Sequence, residues 1–402
     1  MRHDYDYLII GAGMVADAAA RGIRELDAEG TIGVLGEERD PPVTRPALSK
    51  KLWTDPEFGY DQIFPDTSGD TGATLRLGVR VSHIDRAAKR VETSDGNTYG
   101  YGKLLISTGG TPKRLELPAS ERVLYYRTVE DYRKLRELAG EQRHVAVVGG
   151  GFIGTELAAA LVQNGARTTL ILPERTLGES QFPSALAERL HQTFRDHGVE
   201  LMGERKVVGG EERDGKVVVR LDDGLSIEAD AVAIGLGITP NQSLAEQAGL
   251  AVDEGIIVDA RLATEDPDIF AAGDVAKYPD AILGRQRVEH VDNAKQMGGC
   301  VGRIMAGSSE RYTHTPYFYS VLFDLSYQAI GQLSSQLQMA EEWQQAPAQK
   351  GTVYYLDDHR LVGVLLVGFD ADEQAEKLDH ARGLLADKGP FNPDTLVGKL
   401  AD

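Results

Sequence analysis

Two glycine-rich hexapeptides, GAGMVA at 11–16 and GGGFIG at 149–154, carry the clearest chemistry in this chain. A loop of this kind at a helix start turns backbone N–H groups outward, where their partial positive charge receives a phosphate. Its glycines let the phosphate approach without a Cβ in the way. Each hexapeptide is followed, about 20 residues on, by an acidic residue just after a β-rich run, Glu37 and Glu174. A carboxylate there accepts hydrogen bonds from a ribose hydroxyl. One such loop is weak evidence, since ordinary tight turns use the same residues. Two, each with its acid in register, read as a dinucleotide site twice over.

The elements that must position these loops repeat as well. Apolar Tyr5–Ile10 leads into the first loop and an alanine-rich helical stretch to Leu26, and Thr31–Leu35 then carries the chain to Glu37. His144–Val148 leads into the second loop, a helical stretch follows over Thr155–Gly165, and Thr168–Leu172 ends at Glu174. Between the two units, Arg90–Thr93 and Thr98–Tyr101 flank SDGN as a hairpin, Lys103–Ser107 reads as a further strand, and TGGTP at 108–112 breaks the pattern. After the second unit, Lys216–Leu221 and Leu225–Glu228 flank another hairpin turn, and Ala231–Ile234 runs into GLGITPN. From Tyr317 onward no nucleotide fingerprint recurs. Thr352–Leu356 and Leu361–Val367 bracket DDHR, and the spacing predicts a helix over Ala371–Ala386, so the tail reads as a smaller α+β domain.

Composition narrows the function classes. A chain of 402 residues with 42% hydrophobic content is long enough for two or three domains and too apolar for disorder. With 43 basic against 62 acidic side chains the net charge is −19, which repels phosphate backbones and argues against a nucleic-acid partner. The lone Cys300 excludes an internal disulfide, a CxxC redox pair and a cysteine zinc cluster, and no metal site is expected. It lies in a glycine-rich stretch, MGGCVGR, that reads as a helix start with the cysteine as a small packing residue. Asp4 and Asp6 stand where a signal peptide needs positive charge, and apolar runs such as Leu361–Phe369 are too short to span a bilayer. The expectation is a cytoplasmic protein.

A wider set of segments carries a resemblance. GAGMVA at 11–16, RPALSK at 45–50, STGGTP at 107–112, VVGGGFIGTE at 147–156, AIGLGITPN at 233–241, FAAGDVA at 270–276, RVEHVDNA at 287–294 and PYFYS at 316–320 cover nearly the whole chain. Together they resemble the FAD-dependent pyridine nucleotide oxidoreductases, in the branch holding apoptosis-inducing factor, monodehydroascorbate reductase and NADH-dependent ferredoxin or rubredoxin reductases. The resemblance implies an α/β fold with two Rossmann-like dinucleotide-binding domains and a C-terminal α+β domain. The FAD domain is discontinuous, over 1–112 and 244–312; the NAD(P)H domain is inserted at 113–243; the last domain covers 313–402.

It also implies site residues. Gly11, Gly13 and Ala16 hold the FAD pyrophosphate, Glu37 the adenosine ribose, and Thr108 and Gly109 belong to the same binding set. Gly273 and Asp274 serve the FAD phosphates and ribityl chain. Arg45 and Lys50 lie along FAD, with Lys50 near the isoalloxazine, where a cation stabilises reduced, anionic flavin. Gly149, Gly151 and Gly154 hold NAD(P)H, and Gly235 belongs to the cofactor-binding set. Glu174 favours a free ribose 2′-hydroxyl and hence NADH over NADPH, although the neighbouring Arg175 is of a type that receives a 2′-phosphate. Glu156 meets the nicotinamide end and pairs with Lys50, while Glu289 and His290 lie beside the flavin and nicotinamide and Tyr319 belongs to the cofactor-binding set. Lys50, Glu156 and His290 are the catalytic candidates; hydride passes directly between the two cofactors, so no acid–base step is required.

Two departures shape the expected activity. The disulfide reductases need a cysteine pair, and the peroxidase and coenzyme A reductase branches need a cysteine within 47–50; this chain has neither. Where ferredoxin reductases typically read Trp-Ser-Asp-Gln, the chain has Tyr319, Ser320, Val321 and Leu322, closer to monodehydroascorbate reductase. The expectation is an enzyme that passes hydride from NADH to FAD and then electrons to an acceptor: a ferredoxin-type iron–sulfur protein, an organic radical or a quinone. The alternative is a redox sensor or assembly factor like apoptosis-inducing factor, with slow turnover and an NADH-induced conformational change. Both a monomer and a homodimer are compatible with the sequence.

Overall fold

The computed structural model describes residues 2–345, 348–387 and 389–400. They group into two compact units: Met1–Thr44 with Tyr60–Thr111 and Ile238–Pro316, and Arg45–Gly59 with Pro112–Gly237 and Tyr317–Asp402. The segment 45–59, expected in the FAD domain, therefore groups with the second unit. The architecture is the expected α/β one, two parallel nucleotide-type sheets and a C-terminal antiparallel sheet.

In the first unit the strands Thr74–Leu77, Ile32–Gly36, Arg2–Ile10, Thr98–Ile106 and Ile269–Ala271 form a parallel core in that order. Leu8, Ile9, Val34 and Leu104 are fully buried, as strands covered on both faces must be. Thr98–Tyr101 and Lys103–Ser107, expected as separate strands around Gly102, are one strand of nine residues, Thr98–Ile106. Gly102 is there for closeness rather than as a break: a Cβ on it would lie 2.7 Å from the Asp6 carbonyl oxygen of the neighbouring strand. The first half of this strand pairs with the hairpin strand Arg90–Thr93 and the second half with Ile269–Ala271.

Cys300 is also placed differently from the expectation. The helix begins at Val291 and ends at Met305, so MGGCVGR is its interior. Its glycines face the first helix, Met14–Arg24, and admit contact at backbone distance. A Cβ on Gly302 would strike the Ala19 carbonyl oxygen at 2.2 Å, and one on Gly22 the Gly299 oxygen at 2.2 Å. Cys300 packs buried beside them, and burial, followed by the charge of Glu310, pushes its thiol up to about 12. It stays protonated and inert.

The second unit has a five-stranded parallel sheet in the order Glu200–Met202, Arg167–Ile171, His144–Val148, Ala231–Ile234, Val123–Tyr125, with a three-stranded antiparallel sheet over 207–229. Its C-terminal part is a five-stranded antiparallel sheet. The predicted hairpin forms there, as Lys350–Asp357 and Arg360–Val367, beside three strands not expected from the sequence, Tyr317–Leu322, Leu325–Gly331 and Gln338–Gln345. The helix Ala371–Ala386 has its predicted bounds, started by an Asp370–Glu373 capping box. No helix among the described residues is long and apolar enough to cross a membrane.

Candidate functional site

The two glycine loops adopt the same backbone course. Gly11 and Gly149 have φ of +103° and +114°, a region closed to most side chains, and a Cβ there would strike the carbonyl oxygens of Ser107 and Gly235 at 2.2 and 2.4 Å. Gly13 and Gly151 are the N-caps of Met14–Arg24 and Phe152–Gln163, both extended, and neither start is closed by a side-chain cap. Nothing lies within 4 Å of where their Cβ would be. Two open, uncapped helix starts are what a pyrophosphate needs, and the residues fit a dinucleotide at each. The third position differs: a Cβ on Gly154 would meet the Gly149 oxygen at 1.8 Å, whereas the first loop accommodates Ala16 fully buried.

The remaining first-unit candidates gather around that loop. Gly273, at φ +76°, is so close that a Cβ would lie 2.5 Å from Val15 Cγ2, and its N–H points at the Met297 sulfur at 3.2 Å. FAAGD therefore meets GAGMVA. Thr108 donates to the Asn241 carbonyl at 2.9 Å, and Asn241 returns bonds from its side-chain amide to the Thr108 oxygen and from its N–H to the Gly109 oxygen. Arg287, not among the expected site residues, donates to the Asp274 carbonyl at 3.0 Å and to Glu289 at 2.6 Å. His290 is the N-cap of Val291–Met305. Glu37 is exposed, with Arg80 at 3.6 Å as a weak partner, although its strand ends against the loop: a Cβ on Gly36 would lie 2.6 Å from Ala12 Cβ.

In the second unit three catalytic and binding candidates converge. Glu156 is the only charged residue of the helix Phe152–Gln163 and is 4% exposed. Lys50 Nζ lies 2.8 Å from Glu156 Oε1 and 4.8 Å from the centre of the Tyr319 ring. Two serines that are not among the expected site residues complete the site: Ser49 donates to Oε2 at 2.6 Å and Ser320 to Oε1 at 3.3 Å. Both oxygens of this buried carboxylate thus have partners. The only signal for Ser49 was its place beside Lys50; for Ser320, its place beside Tyr319.

The turn that presents Lys50 is anchored on the same unit. The Leu48 carbonyl accepts from the Trp53 indole at 2.7 Å and the Tyr126 hydroxyl at 2.5 Å, and Arg45 donates to the Arg127 carbonyl at 2.9 Å. Arg45 thus braces the turn. Tyr327, fully buried, has its hydroxyl pushed above the usual tyrosine range by burial and then by the charge of Glu156. At the second loop Gly149, Gly154 and Gly235 touch, and Glu174 Oε2 lies 3.5 Å from where a Cβ on Gly150 would sit. Arg175 is exposed, with Glu179 at 4.0 Å.

Known proteins resemble this chain over most of its length. The family profile described as pyridine nucleotide-disulphide oxidoreductase matches residues 5–298. The ferredoxin–NAD(+) reductase component of the anthranilate 1,2-dioxygenase system of Burkholderia cepacia is 36% identical over 337 residues, covering 81% of this chain and 81% of that one. Apoptosis-inducing factor 1 of Dictyostelium discoideum is 33% identical, over 96% of this chain and 80% of its own length. Among solved structures, a covalent putidaredoxin reductase–putidaredoxin complex matches with a TM-score of 0.87 at 27% identity, over 98% of this chain and 95% of that one.

Proposed function

The chain belongs to the pyridine nucleotide-disulphide oxidoreductase family, and on that premise we propose that it is an NADH-dependent flavoprotein reductase whose acceptor is a ferredoxin-type iron–sulfur protein. FAD, when bound, supplies the step from a hydride pair to electrons released singly or together. The residues do the rest. The loop at Gly11, Gly13 and Ala16, joined by Gly273, holds the FAD pyrophosphate on the open start of Met14–Arg24. The loop at Gly149, Gly151 and Gly154 holds NADH, with the Glu174 carboxylate reading its ribose. Lys50 places a cation toward the flavin, and Glu156 fixes that cation and the nicotinamide end.

The observation that carries this reading is the duplicated loop: two helix starts with the same left-handed glycine, the same uncapped N-cap and the same empty Cβ position. The disulfide chemistry in the family's name has no counterpart here, since the lone cysteine is buried and held as a thiol. Ferredoxin is favoured over the other acceptors because reductases of that description are among the relatives, despite Tyr319 and Val321 at the departing positions. Anaerobic reduction by NADH, followed by stopped-flow reoxidation against ferredoxin, a quinone and monodehydroascorbate, tests it. Fast reoxidation by ferredoxin is expected. Slow reoxidation by every acceptor, with NADH-induced dimerisation, overturns it in favour of a sensor.

A further inference from the structure

The segment between the strand Arg167–Ile171 and the helix Ser184–Asp196 carries Glu174 and Arg175, the two residues that face the choice between a ribose hydroxyl and a ribose phosphate. Its interior is braced. The N–H groups of Arg175 and Thr176 both donate to Glu179 Oε2, at 3.0 and 3.1 Å. Gly178 is left-handed at φ +74°, and a Cβ on it would strike the Phe182 ring at 2.4 Å.

Its far end is held from outside the nucleotide fold altogether, by the C-terminal sheet of the same unit. The Ser335 N–H donates to the Ser180 carbonyl at 3.0 Å, and the Tyr355 hydroxyl to the Gln181 carbonyl at 2.9 Å. Phe182 packs edge-on against Tyr327, with ring centres 5.2 Å apart and planes at 73°. Just beyond, Arg189 donates to the Ala348 carbonyl at 2.8 Å. Tyr355 is fully buried, so its hydroxyl has no water to fall back on. Three successive residues, 180 to 182, are therefore each tied to the C-terminal sheet.

We propose that Tyr355 is a positioning residue for nicotinamide-nucleotide selection: by fixing Gln181 it fixes the turn that aims Glu174 at the second glycine loop. The proposal rests on the reading of Glu174 as the ribose-binding acid. A contact that only glued the two folds together would change stability and leave the choice of nucleotide alone. A contact that aims Glu174 changes NAD⁺ affinity more than NADP⁺ affinity.

The test uses the FAD-loaded protein with Tyr355→Phe, which keeps the ring and removes only the hydroxyl, and Phe182→Leu as a second route to the same turn. Calorimetric dissociation constants for NAD⁺ and NADP⁺ are measured in both, in Glu174→Ala and in the Glu174→Ala/Tyr355→Phe double variant. Tyr355→Phe is expected to weaken NAD⁺ about three- to tenfold, the scale of one net hydrogen bond, with a smaller change for NADP⁺. The loss falls on KM for NADH rather than on kcat. In the double variant the effect of Tyr355→Phe is expected to vanish, because both act through one carboxylate. An NAD⁺ affinity unchanged in both turn variants, equal losses for both nucleotides, or additive effects in the double variant overturn the proposal while leaving Glu174 in place. If Glu174→Ala itself leaves the NAD⁺/NADP⁺ ratio unchanged, the ribose reading fails and the proposal falls with it.

Discussion

Ser49 donates a 2.6 Å hydrogen bond to Glu156 Oε2 while its chain neighbour Lys50 holds Oε1 at 2.8 Å. Two consecutive residues thus grip the two oxygens of one buried carboxylate, and the turn cannot shift without moving the charge. Removing one partner of a buried ion pair costs about 3–5 kcal/mol, so neutral isosteres are the right probes.

Lys50→Gln is expected to make the flavin midpoint potential more negative with FAD content unchanged. A partly shielded charge a few ångströms away is worth on the order of 1–4 kcal/mol, which for a two-electron couple is roughly 20–90 mV. Glu156→Gln is expected to move the potential the other way, and the double variant to be non-additive. Spectroelectrochemical titration decides: unchanged or simply additive potentials mean that the pair is structural.

Gly13→Val is expected to abolish FAD binding and leave the fold intact. The space at Gly13 is open and its φ of −98° suits a side chain, so the only thing a valine displaces is the ligand. A folded, colourless protein is the expected product. Full FAD content would remove the first loop from the pyrophosphate site.

Glu174→Ala is expected to slow reduction by NADH about tenfold or more, the value of a charge-assisted hydrogen bond, and to narrow the preference over NADPH. Single-turnover rates measure it. A parent protein reduced faster by NADPH would show that Arg175, not Glu174, governs the choice.

Acid stability follows from Asp230, buried between Lys216 at 2.7 Å, Arg143 at 3.3 Å and the His144 N–H at 2.8 Å. Burial alone raises its pKa, but these donors win and lower it from 3.8 to about 2. A group depressed on folding adds stability above its unfolded value, here roughly 2–3 kcal/mol, and loses it as pH falls from about 4 through 2. Asp230→Asn is expected to destabilise the protein at pH 7 and to flatten the acid limb of the stability curve. Denaturant titrations across pH 2–7 showing parallel curves for both proteins count against this account.

The loops were legible because their signal is local: a strand, a left-handed glycine and a helix start lie within a dozen residues. His144–Val148, Ala231–Ile234 and the helix Ala371–Ala386 came out with their bounds for the same reason. Gly102 and the glycines around Cys300 misled because a glycine that breaks a chain and one that admits a neighbouring backbone look alike in sequence. The edge strands of the C-terminal sheet, such as Gln338–Gln345, were missed because QMAEEWQQ alternates too weakly to announce a strand. Ser49 and Ser320 could be noticed only as neighbours of Lys50 and Tyr319, since their roles arise from residues more than a hundred positions away.

The glycine contact between Met14–Arg24 and Val291–Met305 also sets a schedule for synthesis. The strip of Val15, Ala18, Ala19 and Gly22 is complete within the first two dozen residues, yet the surface shaped to receive it leaves the ribosome only after residue 305. At about 5–20 residues per second that is a wait on the order of tens of seconds. During it the first helix exists without the helix that backs it, so this packing belongs to the late stages of translation.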